Sequence, residues 1–109
     1  MQLLTKSIEK ALTKHPLYSQ EKNENPKVLA KFFNPCGRGT WYITEGSKQD
    51  DGDWLLFGLC CIETPELGYV LLSDLQKQRS AYGLTIERDR YFNGTMSKAM
   101  RIESYLCNC

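Results

Sequence analysis

The order of hydrophobic and polar positions predicts a helix at the start of the chain. Four apolar residues between Leu4 and Leu12 recur at the three- and four-residue spacing of a helix, and lysines lie between them. Thr5 precedes this pattern as a candidate N-cap, and Pro16 marks its end. The polar run over residues 17–26 has no period and is predicted to be an exposed connection.

Runs of β-forming residues joined by turns follow the helix. They cover residues 28–34, 40–45, 53–62 and 69–72, and a further extended piece begins at residue 84. In the second run Trp41, Ile43 and Glu45 alternate with Tyr42 and Thr44. This alternation predicts that one face is buried and that the other meets water or a covering element. The third run is nearly all apolar, which predicts an inner strand covered on both faces.

A short second helix is predicted after the fourth strand. Ser73 and Gln76 have the spacing of a capping box, and the helix is expected from about Asp74 to Arg79. The segment that begins at Thr95 fits a helix and an extended strand equally well. The fold class is therefore α+β, in one domain over residues 1–109. A mainly antiparallel sheet of four to five strands carries an N-terminal helix and a short helix after strand four.

Composition narrows the class of protein without naming a reaction. The 109 residues are 41% apolar and 25% charged, and no run approaches the roughly 18 apolar residues of a membrane span. The start of the chain turns polar too early for a secretory signal, so a cytoplasmic protein with no membrane partner is expected. The formal net charge is only +1, so the protein does not have the strong positive field expected of a nucleic-acid coat protein.

The five cysteines are predicted to be thiols, because an odd number without an export signal does not make a disulfide framework. Adjacent Cys60 and Cys61 point to opposite faces of a strand and are interpreted as small apolar residues. Cys107 and Cys109 share a face if the tail is extended. The alternative to plain thiols is that they assemble a metal site together with Cys36 or His15. We predict no metal and no cofactor.

An acidic surface is the first candidate for function. Asp50, Asp51 and Asp53 form a carboxylate-rich loop that lacks the ligand spacing of a calcium site. Together with exposed Glu45 or Glu66, this loop could mimic phosphate charge or meet a basic nucleic-acid groove. We therefore predict that these five residues bind a protein partner.

Two other function classes compete with this hypothesis. The alternative is a nucleic-acid-binding module that uses an aromatic and basic sheet face. Its candidate contacts are Lys31, Arg38, Trp41 and Arg88. The third hypothesis is an enzyme that uses Glu87 and Asp89, but clustered carboxylates without a metal partner or nucleophile usually belong to a surface. His15 beside Pro16 is a poor candidate for a general base. The sequence thus favours a protein that is not an enzyme.

Linked blocks along nearly the whole chain up to Phe92 carry a family resemblance. They are Leu3-Leu-Thr-Lys6, Ala30-Lys-Phe-Phe33, Thr40-Trp-Tyr-Ile-Thr-Glu45, Leu56-Phe-Gly-Leu59, Pro65-Glu-Leu-Gly-Tyr69, Leu72-Ser-Asp-Leu75 and Gly83-Leu-Thr-Ile-Glu-Arg-Asp-Arg-Tyr-Phe92. In this order they resemble the bacterial domain-of-unknown-function family 2958. Cys107-Asn-Cys109 lies outside the pattern.

The resemblance implies a genetic setting and no reaction. Members look like cargo of plasmids, phages and integrative elements, often near genes that counter host defence. The resemblance therefore implies a small protein that inhibits a host defence complex, CRISPR or restriction, by protein-protein binding. The expected partner is a host protein or ribonucleoprotein complex, with nucleic acid as the second choice.

Overall fold

The computed structural model describes residues 2–79 and 82–107 and confirms the α+β class. Its elements in chain order are α1 (Lys6–Lys14), β1 (Ala30–Phe33), β2 (Thr40–Lys48), β3 (Trp54–Cys61), β4 (Pro65–Leu71), α2 (Leu72–Lys77), β5 (Glu87–Arg88) and α3 (Met96–Cys107). The strands form an antiparallel sheet in the order β4-β3-β2-β1-β5. The predicted N-terminal helix and the short helix after strand four are both present.

Helix α1 begins where the sequence predicts. Thr5 Oγ1 accepts a hydrogen bond from the Ile8 N–H at 3.2 Å, which satisfies one of the unpaired donors at the helix start. Leu12 is fully buried and packs on the sheet over Gly46. A Cβ on this glycine would lie 2.8 Å from Leu56 and 3.1 Å from Leu12, so the missing side chain lets the helix approach the sheet.

The sheet has a separate hydrophobic core on each face. On one face, called the α1 face, α1 and α2 pack against the strands, and the core contains Leu12, Ala30, Phe32, Trp41, Ile43, Trp54, Leu56 and Leu75. On the other, called the α3 face, α3 packs on β2 and β3 over a smaller core of Val28, Tyr42, Leu59, Cys61, Met96 and Ala99. A covering element therefore lies on the second face of β2. The inner strand β3 is only half-buried at Leu55 and Phe57.

A bulge in β2 reverses the alternation of its side chains. Ile43 pairs with Gly58 and Glu45 with Phe57, so Thr44 is an extra residue between two paired positions. Paired residues point to the same side of a sheet. Glu45 therefore lies on the α3 face, opposite to Ile43, although simple alternation places both on one face.

Helix α2 begins at Leu72 and not at the predicted Asp74, and the predicted capping box is wrong. Ser73 lies inside the first turn, and its hydroxyl donates to Asp53 Oδ2 at 2.5 Å. The Ser73 N–H donates to Asp53 Oδ1 at 3.1 Å. A carboxylate from a distant loop thus takes the capping role that the sequence assigned to Ser73 and Gln76.

The segment after Thr95 is helical, which settles the alternative left open by its sequence. Met96 and Ala99 enter the core of the α3 face, and Glu103 Oε2 accepts the hydroxyl of buried Tyr42 at 2.8 Å. Burial and the Glu103 carboxylate raise the pKa of Tyr42 well above its usual range. In the part of the chain that the structure describes, no helix is long and apolar enough to cross a membrane.

Candidate functional site

The segment between α1 and β1 is bonded to the sheet through Glu45. This side chain is 4% exposed, and its two carboxylate oxygens accept the N–H groups of Tyr18 and Gln20, each at 2.8 Å. The Gln20 side-chain amide donates in turn to the Thr44 carbonyl at 2.7 Å. Buried carboxylates need such donors, because desolvation of an unpaired charge is costly. Glu45 therefore fixes the backbone of residues 18–20 against the α3 face.

Tyr18 is held in a backbone conformation that its side chain disfavours. Its φ of 72° is the only positive φ of a non-glycine residue among the described residues. Left-handed backbone costs a residue with a side chain about 1–2 kcal/mol. Such conformations persist where the surroundings over-determine them, and they cluster at functional sites. The Tyr18 side chain nevertheless remains 64% exposed, so the strained backbone presents an aromatic ring to solvent.

Tyr18 belongs to an exposed apolar surface on the α3 face, which we call the aromatic surface and define as Tyr18, Phe57, Leu67 and Tyr69. Leu67 is 57% exposed and Tyr69 is 50% exposed. The Phe57 and Tyr69 rings lie 4.9 Å apart between centroids. A hydrogen bond with the Tyr18 hydroxyl raises the pKa of Tyr69, with further contributions from burial and nearby carboxylates. Toward β4 this face of the sheet is thus open and largely aromatic.

The stretch of chain that contains β3 and β4 is acidic. Residues 49–76 contain six carboxylates and no lysine or arginine, whereas the chain as a whole carries 14 basic and 13 acidic side chains. We call residues 49–76 the acidic segment. The aromatic surface lies mostly within it, because Phe57, Leu67 and Tyr69 belong to β3 and β4. The near-neutral net charge of the chain is therefore the sum of a negative segment and a positive remainder.

Two of the three loop aspartates of the predicted acidic surface are exposed, and the third is structural. Asp50 and Asp51 face solvent in the turn between β2 and β3. Asp53 binds the hydroxyl and N–H of Ser73 and also the Trp54 N–H at 2.8 Å. The Ser73 hydroxyl, helped by these N–H groups, lowers the pKa of Asp53 despite an opposing contribution from desolvation. Asp53 therefore joins the loop to α2.

The two glutamates of the predicted surface do not join this loop. The expected exposure of Glu45 is wrong, because the bulge turns its carboxylate under the segment that contains Tyr18. Glu66 is exposed, but it pairs with Cys60, six residues along β3 from Trp54. Six residues of a strand span about 20 Å. The loop aspartates and Glu66 thus lie far apart on the sheet, although both belong to the acidic segment.

The residues predicted to bind nucleic acid also fail to form one face. Trp41 is 3% exposed on the α1 face, where no base can stack on it, so this part of the prediction is wrong. Lys31 lies on the α3 face, whereas Arg88 pairs with Phe32 and lies on the opposite side. Arg88 also donates to the main-chain carbonyl of Gln2. Arg38, in the turn before β2, is the exposed member of the set.

Asp89 makes structural contacts within the fold. Its carboxylate lies 3.4 Å from Lys31 Nζ and accepts the N–H groups of Tyr91 and Phe92. Burial raises its pKa, but the Tyr91 N–H, the Lys31 charge and the Phe92 N–H outweigh burial and lower it. Glu87 is the half-buried partner of Phe33 in the short edge strand. The two carboxylates therefore complete the β1 and β5 edge of the fold.

The described cysteines fit the thiol interpretation. Cys36, Cys60 and Cys61 are thiols and not halves of disulfides, and burial raises the pKa of Cys60. Cys107 ends α3, and Cys109 lies outside the described residues. Among the side chains that the structure describes, no three histidine, cysteine or carboxylate groups converge in a way that could hold a metal ion.

Sequence reasoning missed the aromatic surface for a physical reason. The conformation of Tyr18 depends on a carboxylate 27 residues away in the chain, and no local pattern encodes it. The exposure of Leu67 and Tyr69 depends on how far α3 extends across the sheet. The absence of basic residues over 49–76, in contrast, can be read from the sequence and could have extended the predicted acidic loop to the whole of this segment.

Comparison with known proteins gives a family and no function. No curated protein and no solved structure matches the chain. The model of the family described as protein of unknown function, DUF2958, matches residues 3–106, which is almost the entire sequence. The match extends through α3, beyond the blocks that carry the resemblance in the sequence. The chain therefore belongs to the DUF2958 family.

Proposed function

We propose that this protein is a non-enzymatic binding domain that docks on a basic surface of another protein through the aromatic surface. The observation that carries the proposal is the pairing of Glu45 with Tyr18. A buried carboxylate holds Tyr18 in a disfavoured backbone conformation, and the result is an exposed tyrosine beside Tyr69. Tyrosines that are rigid and half-exposed are frequent anchors of protein interfaces.

The negative charge of the acidic segment, which contains most of the aromatic surface, supports a basic partner. Residues 49–76 carry six carboxylates and no lysine or arginine, although Lys77 lies near Asp53, and a segment of this charge attracts positive surfaces and repels nucleic acid. Asp89, the carboxylate of the enzyme hypothesis, is bonded within the fold. These observations favour protein binding over the nucleic-acid and enzyme alternatives.

The partner class follows from the genetic setting that the family resemblance implies. We propose a host defence complex, of the CRISPR or restriction type, as the target. Such complexes bind nucleic acid in basic grooves, and an acidic surface with aromatic anchors complements a groove of this kind. The protein would then act by occupying the groove.

The test is capture of partners from host lysate, with and without nuclease, on immobilised wild-type and variant protein. The double variant Leu67→Ser, Tyr69→Ala removes two exposed anchors. We expect the amount of captured partner to fall by a factor of about ten or more. Tyr91→Ala is the matched control, because Tyr91 is 87% exposed and lies beside β5, at the other edge of the sheet.

Two results would contradict the proposal. Equal capture by the double variant and wild type would exclude the aromatic surface, and loss of the partner on nuclease treatment would favour nucleic acid. Reversing Asp50 and Asp51 to lysine in a separate variant tests the predicted loop contacts, since both side chains are exposed. Urea unfolding of each variant establishes that the fold is intact.

A further inference from the structure

Strand β4 is a long and regular open edge of the sheet. In the described residues it pairs with β3 alone, and the register runs without a shift from Pro65 to Leu71. Proteins usually protect such an edge with lysine, an inward charge, a bulge or proline. In β4 the only proline is at the first position, and no lysine or arginine follows. Within residues 2–79 and 82–107, no other strand lies against the outer side of β4, which is what strand addition requires.

The side chains of β4 divide between the two faces in a way that specifies an added strand. Leu67 and Tyr69 point to the α3 face and are exposed, whereas Glu66 points to the α1 face. Residues of a neighbouring strand lie directly beside such side chains. An added strand would meet apolar and aromatic side chains on one face and a carboxylate on the other.

Charge selects the occupant of this edge. Pairing β4 with β4 of a second copy would bring two acidic segments together, each with six carboxylates and no basic residue. A segment in which lysine or arginine alternates with apolar residues has the opposite pattern. Its basic side chains would lie beside Glu66, and its apolar side chains would lie beside Leu67 and Tyr69.

We propose that β4 binds an extended basic segment of the partner protein by strand addition, with main-chain hydrogen bonds to the open edge. The inference rests on the proposed function for the class of partner, and it adds the mode of binding. Main-chain hydrogen bonds give affinity in this mode, and alternate side chains give specificity. Tyr69 and Leu67 then serve as side-chain contacts of the added strand.

The probe is a capped seven-residue peptide in which arginine alternates with valine, labelled for fluorescence anisotropy with the full chain. Alternate N–H groups of a strand point to the same edge. Two further peptides carry N-methyl groups on the arginines only or on the valines only, so each removes the donors of one edge. We expect one of these two peptides to bind about tenfold more weakly or worse, and the other to bind like the parent.

The protein variants locate the binding site. Glu66→Lys should weaken binding of the arginine peptide, whereas Asp74→Lys, an equal change of charge on exposed α2 surface, should weaken it less. A peptide that alternates glutamate with valine should not bind. The double variant Leu67→Ser, Tyr69→Ala should bind the arginine peptide more weakly than wild type.

Several outcomes would overturn strand addition. They are no binding of the arginine peptide, equal effects of the two methylation patterns, equal binding of the glutamate peptide, and dimerisation of the protein through β4 in sedimentation analysis. None of these outcomes affects capture of a partner by the aromatic surface. Failure of the proposed function and failure of this inference can therefore be told apart.

Discussion

Replacing Glu45 with glutamine tests the interaction that shapes the aromatic surface. The carboxylate accepts the N–H groups of both Tyr18 and Gln20, but an amide offers one acceptor oxygen and turns an NH2 group toward the second N–H. One charge-assisted hydrogen bond, about 1.5–3 kcal/mol, is lost, and an unsatisfied buried N–H adds about 1–3 kcal/mol. Relief of the strained backbone of Tyr18 returns about 1 kcal/mol. We expect the free energy of unfolding to fall by about 3 kcal/mol.

Urea unfolding followed by tryptophan fluorescence measures this change, because Trp41 and Trp54 both lie in the core of the α1 face. The corresponding decrease in melting temperature is about 12 °C for a domain of this size. Glu21→Gln is the matched control, since Glu21 is exposed in the same segment and its replacement should change stability by about 0.5 kcal/mol at most. A Glu45→Gln variant as stable as this control would refute the role of the carboxylate.

Three further predictions concern the fold around the site. Ser73→Ala removes the hydroxyl that chiefly lowers the pKa of Asp53. A lowered carboxylate pKa stabilises the fold at pH values above the unfolded-state pKa of about 4. In thermal unfolding scans, the loss of stability in this variant should therefore be largest near neutral pH and should shrink as the pH falls below about 4. Glu103→Ala leaves the buried Tyr42 hydroxyl without its acceptor and should cost about 2 kcal/mol in urea unfolding, whereas Glu103→Gln, which keeps an acceptor oxygen, should cost less. Gly58→Ala would place a Cβ 1.8 Å from the Tyr42 carbonyl oxygen, so we expect loss of cooperative unfolding in calorimetry, and a normal transition would contradict the close strand packing.

The sequence predicted those elements whose cause is local. Thr5 caps α1 because its hydroxyl reaches the Ile8 N–H within one turn, and the hydrophobic pattern alone locates this helix. The β-rich runs became strands, although β4 begins at Pro65, earlier than the predicted residue 69. The short helix α2 was predicted in its correct place along the chain, although the capping box on which that prediction rested does not form.

The errors arose where a distant residue replaces a local one. Ser73 and Gln76 fit a capping box, but Asp53, 20 residues away from Ser73, binds the same N–H and hydroxyl groups. Alternation placed Glu45 with Trp41 on one face, and a single extra residue in β2 moved it to the other. Both outcomes depend on strand register and loop placement, which a single sequence does not determine.

The acidic segment and the rest of the chain carry formal charges of opposite sign, because residues 49–76 contain carboxylates and no lysine or arginine. Six of its carboxylates lie around β3 and β4, while every lysine and arginine lies elsewhere in the chain. In the field of a basic partner this separation of charge favours approach with the acidic segment, which includes β4, toward the partner. Association would then be fast at low ionic strength and slower as salt screens the field over about 10 Å at 0.1 M. A protein with almost no net charge can in this way be guided electrostatically to its target.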